Sequence, residues 1–450
     1  MEKKSKTNEV LKEICFFTPA DLPFDYAPWN RGEAGEQNFL KLQKGSQTAF
    51  LFLGEKKLLP AELQKALLSI TNQGWEILGE LKVEFAQESL DVTREKLLSQ
   101  DTLRLELGLK LLALVDPEQG APLSHKINVL REEIARETGL VVPGINIKDN
   151  LNLCPEGYRL YFRETLLAQG EVFLGRILVI GNLEQLSAVE GWSAAEPACK
   201  MPAKWITEAE LEKAQKAGLM AVAPLSVLLT HLNYSLKDSA PALLGLQDLN
   251  DMLELFLESH PVVVEEFLED KAKLRALRKI LQNLLAEKIS IRDFITILEV
   301  VGEQLQHIEK TDLVSELVRL ALAKQIIAAH LSNEGSLRGI YLSPQLEEMV
   351  LYSLRETTKG LGLSLGKEQI DLLFDGLRPV IETHQPCVLI TEPHTRIYWK
   401  KILSLRYPGF PVFSTAEITP ETRLEVLETV ALPKELKADL EKKKSSKKRG

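Results

Sequence analysis

The chain is poor in the residues that build covalently or metal-held folds. Its four cysteines, Cys15, Cys154, Cys199 and Cys387, are widely scattered with no C-x-x-C pair. That excludes a disulfide-stapled scaffold and points to a reduced, cytoplasmic compartment. The seven histidines, among them His231, His260, His307, His330, His384 and His394, form no H-E-x-x-H or comparable ligand pair. The sequence therefore implies no metal and no cofactor. A basic surplus is also missing: the net charge of -9 argues against broad nucleic-acid binding. The N-terminus, MEKKSKTNEVLKE, has no apolar run behind it, so no signal peptide is expected. The longest uncharged stretch, residues 217–236, approaches the roughly 20 residues that cross a bilayer, but Pro224, Ser226, Thr230, His231 and Asn233 disqualify it. It reads instead as a buried strand, Leu219 to Ala223, followed by a helix capped by Ser226.

What is present is ample core. A chain of 450 residues with 45% hydrophobic content has the length of about three globular domains or more. In residues 1–45 Pro19, Pro23, Pro28 and several glycines predict a largely extended arm. Strands at 48–54 and 75–85 around a helix at 60–74 predict a small β-α-β unit, with a connecting helix at 88–99. From 102 to 115 Leu103, Leu105, Leu107, Leu109 and Leu111 alternate with polar residues or glycine, which predicts one long half-buried strand. A turn at Pro117 to Gly120, a helix near 122–138 and strands near 145–153, 158–163 and 167–174 follow. The strand and helix of 219–237 complete this α+β unit, which makes 175–218 an insertion.

Apolar spacing is helical throughout 243–323. Within it, Leu281, Leu284 and Leu285 mark one helix, Lys288 breaks it, and Ser290 with Asp293 predicts an N-cap opening the next, whose buried face carries Ile291, Phe294, Ile295 and Leu298. Helices near 344–358, 367–383 and 394–406 and strands at 387–390 and 411–414 form a last α/β unit. The run GLGLSLGKEQ (360–369) is not a phosphate loop. That motif needs glycine and Ser or Thr where this chain has Leu361 and Glu368. A helix end, a turn and a new helix start account for it. Beyond 420 a helix leads into the basic cluster KKKSSKKRG (442–450), disordered by composition. It reads as a solvated end, with contact to anionic lipid headgroups or an acidic partner as the alternative. Trp205 reads as core filling.

Several stretches resemble one family. QNLLAEKISIRDFITILE (282–299), GLVVPGINIKDNLNL (139–153), EPACKMPAKWI (196–206), PLSVLLTHL (224–232) and residues 385–418 resemble, in the same order, the cytoplasmic domain of the FlhA/InvA (FHIPEP) family. These are the large export-gate subunits of flagellar and virulence type III secretion systems. The resemblance covers roughly 100–420. It implies an α+β multidomain fold: 99–174 plus 219–242 as the first α+β unit, 175–218 as the inserted domain, 243–323 all-helical, and 324–420 as the C-terminal α/β unit. Residues 1–98, the arm and β-α-β unit, lie outside it, and 421–450 are the helix and tail.

The resemblance also implies a function. Non-enzymatic protein secretion, flagellar by the general wording, would use a dimple between the first unit and its insertion as a docking platform for export chaperones and their cargo. The dimple's acidic, aromatic and threonine positions fall on Glu196, Cys199 and Thr230, flanked by Pro197 and His231. Cysteine in place of the aromatic removes an anchor of the kind that dominates interface energy. Family members carry an N-terminal transmembrane bundle. Met1 and the organised N-terminal unit favour a complete chain without one, acting in the cytoplasm or at the cytoplasmic face of the inner membrane. The alternative reading is a soluble regulatory or assembly relative that associates with other export-gate components without forming the pore. The family's lateral contacts imply at most a weak homo-oligomeric ring, and without the membrane bundle a mostly monomeric chain is expected in dilute solution.

Overall fold

The computed structural model describes residues 35–44, 47–52, 76–85, 101–116, 121–306, 310–357, 360–437 and 440–441, and the chain divides into two units, Met1–Gln100 and Asp101–Gly450.

The first unit holds β1 (Gly35–Lys44), β2 (Gln47–Phe52) and β3 (Glu76–Phe85) in the order β2-β1-β3, both pairings antiparallel. This corrects the β-α-β reading. The two expected strands do not neighbour each other; they flank β1, which falls in the stretch read as an extended arm. Leu40 and Leu42, alternating with Lys41 and Gln43, carry the period-2 signal there, masked by the proline and glycine upstream. The helices expected at 60–74 and 88–99 lie outside the described residues.

The second unit opens with β4 (Leu103–Leu107), whose three leucines are fully buried. The long strand expected over 102–115 stops at Gly108. A Cβ there would stand 2.1 Å from the Cys154 carbonyl oxygen, so only glycine lets the two segments cross. Leu109–Leu114 then wind into a 3-10 turn that leaves Leu109 60% exposed and breaks the alternation. Helix α1 (Pro122–Thr138) starts on proline, buries Leu123, Ile127, Leu130 and Ile134, and ends at Gly139 with φ +82°. Strands β5 (Ile145–Asp149), β6 (Gly157–Phe162) and β7 (Thr165–Glu171) complete a sheet ordered β5-β4-β6-β7, with β5 parallel to β4 and the rest antiparallel.

A second antiparallel sheet follows. Strand β8 (Ile177–Ile180), helix α2 (Leu183–Ser187), β9 (Trp192–Ala195), β10 (Pro202–Ile206), α3 (Leu211–Lys216) and β11 (Met220–Val222) give the order β11-β8-β10-β9 around a small core of Val179, Leu186, Val189, Ile206, Ala214 and Leu219. The strand expected to rejoin the first unit, β11, therefore belongs to the insertion. It pairs with β8 because Leu219 is needed to close the insertion's own core. Only the helix after it, α4 (Pro224–Asp238), returns, packing on α1 and β7. Ala223 is its N-cap and Pro224 opens it, so Ser226 lies inside the first turn rather than capping.

The helical layer comprises α5 (Ala240–Leu243), α6 (Leu246–Leu257), α7 (Pro261–Glu269), α8 (Lys271–Ala286), α9 (Phe294–Leu305), α10 (Thr311–Ala321) and α11 (Ala323–Ala328). Asp270 caps α8, accepting from the N–H groups of Ala272 and Lys273. The break falls at Lys288, which takes φ +62°. Helix α9 starts four residues after Ser290. The Ile291 N–H donates to Thr138 O at 2.8 Å, a tertiary bond that ties this connection to the end of α1 and replaces the expected cap. Asp293 accepts instead from Gln325 at 2.6 Å.

The last part contains β12 (Ser336–Leu342), α12 (Pro344–Tyr352), the hairpin β13 (Leu354–Thr357) and β14 (Gly360–Leu363), α13 (Lys367–His384), β15 (Val388–Thr391), α14 (Arg396–Ser404), β16 (Val412–Ser414) and β17 (Arg423–Val430). Helix α12 thus ends six residues short of the expected 358, and the hairpin occupies the space. Residues 423–430, read as part of a helix and tail, form an edge strand. The sheet order is β16-β15-β12-β17, all parallel. One face (Leu337, Val388, Ile390, Phe413) joins the helical core, and the other (Ile340, Leu342, Leu389, Val412) packs on Phe374, Trp399 and Ile402.

A buried ion-pair network locks this sheet to the helices. Arg396, 0% exposed, donates to Glu287 at 2.8 and 3.0 Å, to Glu316, and to the Val412 carbonyl at 3.3 Å. Arg319 joins Glu287 at 2.9 Å and Glu417 at 2.7 Å. Burial opposes the charge on Glu287, but Arg396 and Arg319 outweigh it and hold its carboxyl below the usual range.

Candidate functional site

Strands β9 and β10 are joined by the turn Glu196–Met201, whose shape is set by one carboxylate. The Glu196 backbone N–H donates to Met201 O at 2.8 Å and the Lys200 N–H to Glu196 O at 2.9 Å. The side chain folds back over the turn, its two oxygens accepting from the Ala198 N–H at 2.9 Å and the Cys199 N–H at 2.6 Å. Lys200 sits at φ +58° to close the turn. Glu196 is accordingly only 5% exposed, and Pro197 is buried with it. Cys199 is exposed.

Helix α4 contributes the other two expected residues on different faces. His231 belongs to the buried stripe with Val227, Leu228, Leu232, Ser235 and Leu236, whereas Thr230 is exposed. The His231 Nδ1 lies 2.7 Å from the Tyr158 hydroxyl on β6, with the rings edge to face at 5.9 Å. Tyr158 fits because Gly170 on β7 leaves room. A Cβ there would meet the hydroxyl at 2.6 Å. Burial, with the negative Glu196 nearby, pushes the phenol well above its usual value. A phenol that stays protonated donates to Nδ1, which leaves the imidazole proton on Nε2. Burial, then Lys200, holds the imidazole below its ordinary 6.5, with Glu196 opposing. Glu196 and Lys200 on the turn are thus electrostatic neighbours of Tyr158 and His231.

Beside this pair lies a cleft of about 620 Å³ lined by the first sheet and the insertion, including Tyr158, Arg159, Glu171, Trp192, Pro197 and Lys200. Trp205, in its wall, is core as expected. Phe173 packs edge-on against both Trp192 (5.2 Å) and Trp205 (5.4 Å), and the Arg176 guanidinium lies 3.4 Å from the centre of the Trp192 ring. Trp192 is nevertheless 51% exposed. Sequence reasoning missed Tyr158, Gly170, Phe173, Arg176 and Trp192. The available signal was Trp192 itself, a large aromatic at the head of the small-residue strand WSAA.

Chemistry elsewhere is sparse. Gly362-Leu363-Ser364-Leu365-Gly366 has the G-x-S-x-G spacing, although the sequence is expected to contain no such elbow. Ser364 follows a strand of the two-stranded hairpin rather than of the parallel sheet, lies outside the left-handed region, and donates its N–H to Ser353 O at 2.8 Å, so it is no nucleophile elbow. Among the described residues no group of three His, Cys, Asp or Glu could hold a metal ion, and no helix is long and apolar enough to cross a membrane.

This architecture, an α+β unit with an inserted antiparallel sheet, a helical layer and a parallel sheet, is the fold of solved domains such as the EscV cytosolic domain from the type III secretion system, 20% identical with TM-score 0.59 over 74% of this chain and 97% of that one. The Chlamydia pneumoniae CdsV protein is similar at 27% identity and TM-score 0.66, covering 74% of this chain and 98% of that one. The nonameric SctV-C of EPEC, 19% identical with TM-score 0.61 over 74% of this chain and 99% of that one, shares the fold. The FHIPEP family model matches residues 66–423, and the chain belongs to that family. The match begins well before residue 100, so part of the N-terminal stretch read as foreign lies within it. The Bacillus subtilis flagellar biosynthesis protein FlhA is 32% identical over 335 residues, 74% of this chain and 49% of that protein, and the Yersinia enterocolitica FlhA is 29% identical over 78% of this chain and 50% of that protein. The chain spans about half the length of these curated relatives.

Proposed function

We propose that this chain is a non-enzymatic component of type III protein export, in a flagellar system, and that the cleft between its first sheet and the insertion docks chaperone-cargo complexes. The observation that carries this is the family match running through both walls of the cleft. The flagellar assignment follows the FlhA relatives. Roles divide by exposure. Of the five expected residues only Pro197 lines the cleft; Glu196 shapes the turn with it, His231 positions β6 from below, and Cys199 and Thr230 are exposed outside the lining, where a partner larger than the cleft can reach them. The account is tested by titrating the purified chain with an export chaperone-cargo complex from the same organism. Binding should be measurable at micromolar concentration and fall at least about tenfold with Thr230→Asp, a like effect to truncating an interface contact. Absence of binding at high micromolar concentration would overturn the docking role.

A further inference from the structure

The docking reading leaves one difficulty, the small Cys199 where an anchor is expected, and the cleft contains what resolves it. Trp192 heads β9, an edge strand of its sheet, and its ring is held at a fixed angle by Phe173 on one side and Arg176 on the other. A half-exposed tryptophan immobilised in this way offers apolar area at little cost in side-chain entropy. Along the rest of β9, Ser193, Ala194 and Ala195 are small, and all three line the cleft. No backbone hydrogen bond among the described residues occupies the strand's outer edge, because β10 takes the inner one. Such an edge accepts a further strand, and small side chains let it approach.

The charge around that edge is mostly positive. Arg159 and Lys200 line the cleft and Arg176 lies on Trp192, and none of the three has an ion-pair partner among the described residues. Glu171 is the one carboxylate in the lining, since Glu196 is turned into its own loop. A cationic cleft on a chain of net charge -9 is a local inversion, and it selects for negative charge.

We propose, building on the docking reading, that the cleft receives an extended acidic segment of the partner carrying a large apolar side chain, added as a strand to the free edge of β9 and anchored on Trp192 rather than on residue 199. Four residues of β9 correspond to about 13 Å of added strand, so the recognised segment is short.

The probe is a fluorescein-labelled ten-residue peptide alternating glutamate with phenylalanine and valine, compared with the same peptide carrying lysine for glutamate and with one N-methylated at alternate amides. The glutamate peptide should bind, the lysine and N-methylated peptides at least about tenfold more weakly. Trp192→Ala should cost about 30-fold or more and Arg159→Glu about tenfold, while Cys199→Ala changes affinity less than threefold. Trp192 is half-exposed, so the variant folds, and an unchanged melting temperature verifies it. Equal binding of both charges, an unaffected Trp192→Ala, or no binding of the glutamate peptide would each overturn the inference. If chaperone-cargo complexes still bind the chain and lose affinity with Thr230→Asp, that failure leaves the docking role standing; if they do not bind, the docking role fails on its own measurement.

Discussion

Replacing Arg396 with methionine removes the centre of the buried ion-pair network while keeping most of the side-chain volume. The guanidinium bridges Glu287, at the C-terminus of α8, and Glu316 on α10 to the parallel sheet through Val412 O. Without it Glu316 loses its direct partner, and Glu287 keeps only Arg319 at 2.9 Å. Breaking a buried pair by removing one member costs about 3–5 kcal/mol, because the remaining charge is stranded away from water. With an unfolding entropy near 2.1 cal/mol/K per residue, a unit of about 350 residues has about 0.7 kcal/mol/K, so the melting temperature should fall by about 4–7 °C at neutral pH. The loss should also depend on pH. In the native chain Glu287 is held below 4.5 by the two guanidiniums, so its contribution is present above that value and lost as pH falls through the lower folded value. Burial already holds Glu316 above its usual value in the native chain, and without Arg396 to oppose it the carboxyl rises further. It is accommodated when protonated, so the variant loses stability as pH rises. Scanning fluorimetry of both proteins at pH 5 and pH 8 should therefore give a smaller difference at pH 5. Equal melting temperatures at pH 8, or a difference larger at pH 5, would refute the reasoning. Arg396→Met combined with Glu316→Leu should recover part of the loss, since no charge is then stranded on α10.

Gly170→Ala should press a methyl against the Tyr158 hydroxyl, 2.6 Å from the new carbon, and cost about 1–3 kcal/mol by urea unfolding; in a Tyr158→Phe background the same change should cost less, because the nearest atom is gone. His231 is held below 6.5 in the folded chain by burial and Lys200, so the unfolded chain binds the extra proton first. Stability from this group is complete above pH 6.5 and declines as pH falls below it, towards the lower folded value. In His231→Gln that part of the decline should vanish from a melting-temperature profile taken between pH 7.5 and 5.

Much of the architecture was legible in the sequence because the strongest signals are local. Pro122, Gly139 and the apolar spacing between them define α1, and the leucines of β4 define a buried face. The errors arose where a tertiary contact competes with a local one. Gly108 ends β4 because another segment passes against it, and Ile291 pairs with Thr138 rather than letting Ser290 open a helix. Strand β17 was hidden because RLEVLETV carries helix-forming Leu and Glu, and only its parallel pairing with β12 makes it a strand. The candidate site was legible only in part. Glu196, Pro197, Cys199, Thr230 and His231 could be named by resemblance, but their division into buried organisers and exposed contacts depends on which face of α4 packs on the first sheet and on how the turn folds around the Glu196 carboxylate. Trp192, Phe173 and Arg176 come together from different elements, and no spacing in the chain announces them.

The most direct test of the docking role is affinity capture of the chain from cross-linked native cells, alongside a Thr230→Asp variant, with the co-purifying proteins identified by mass spectrometry. The account predicts export chaperones and their cargo with the native chain and their loss with the variant. Recovery of only a membrane-bound gate subunit, equally with both, would contradict it and make this chain a ring-associated regulator.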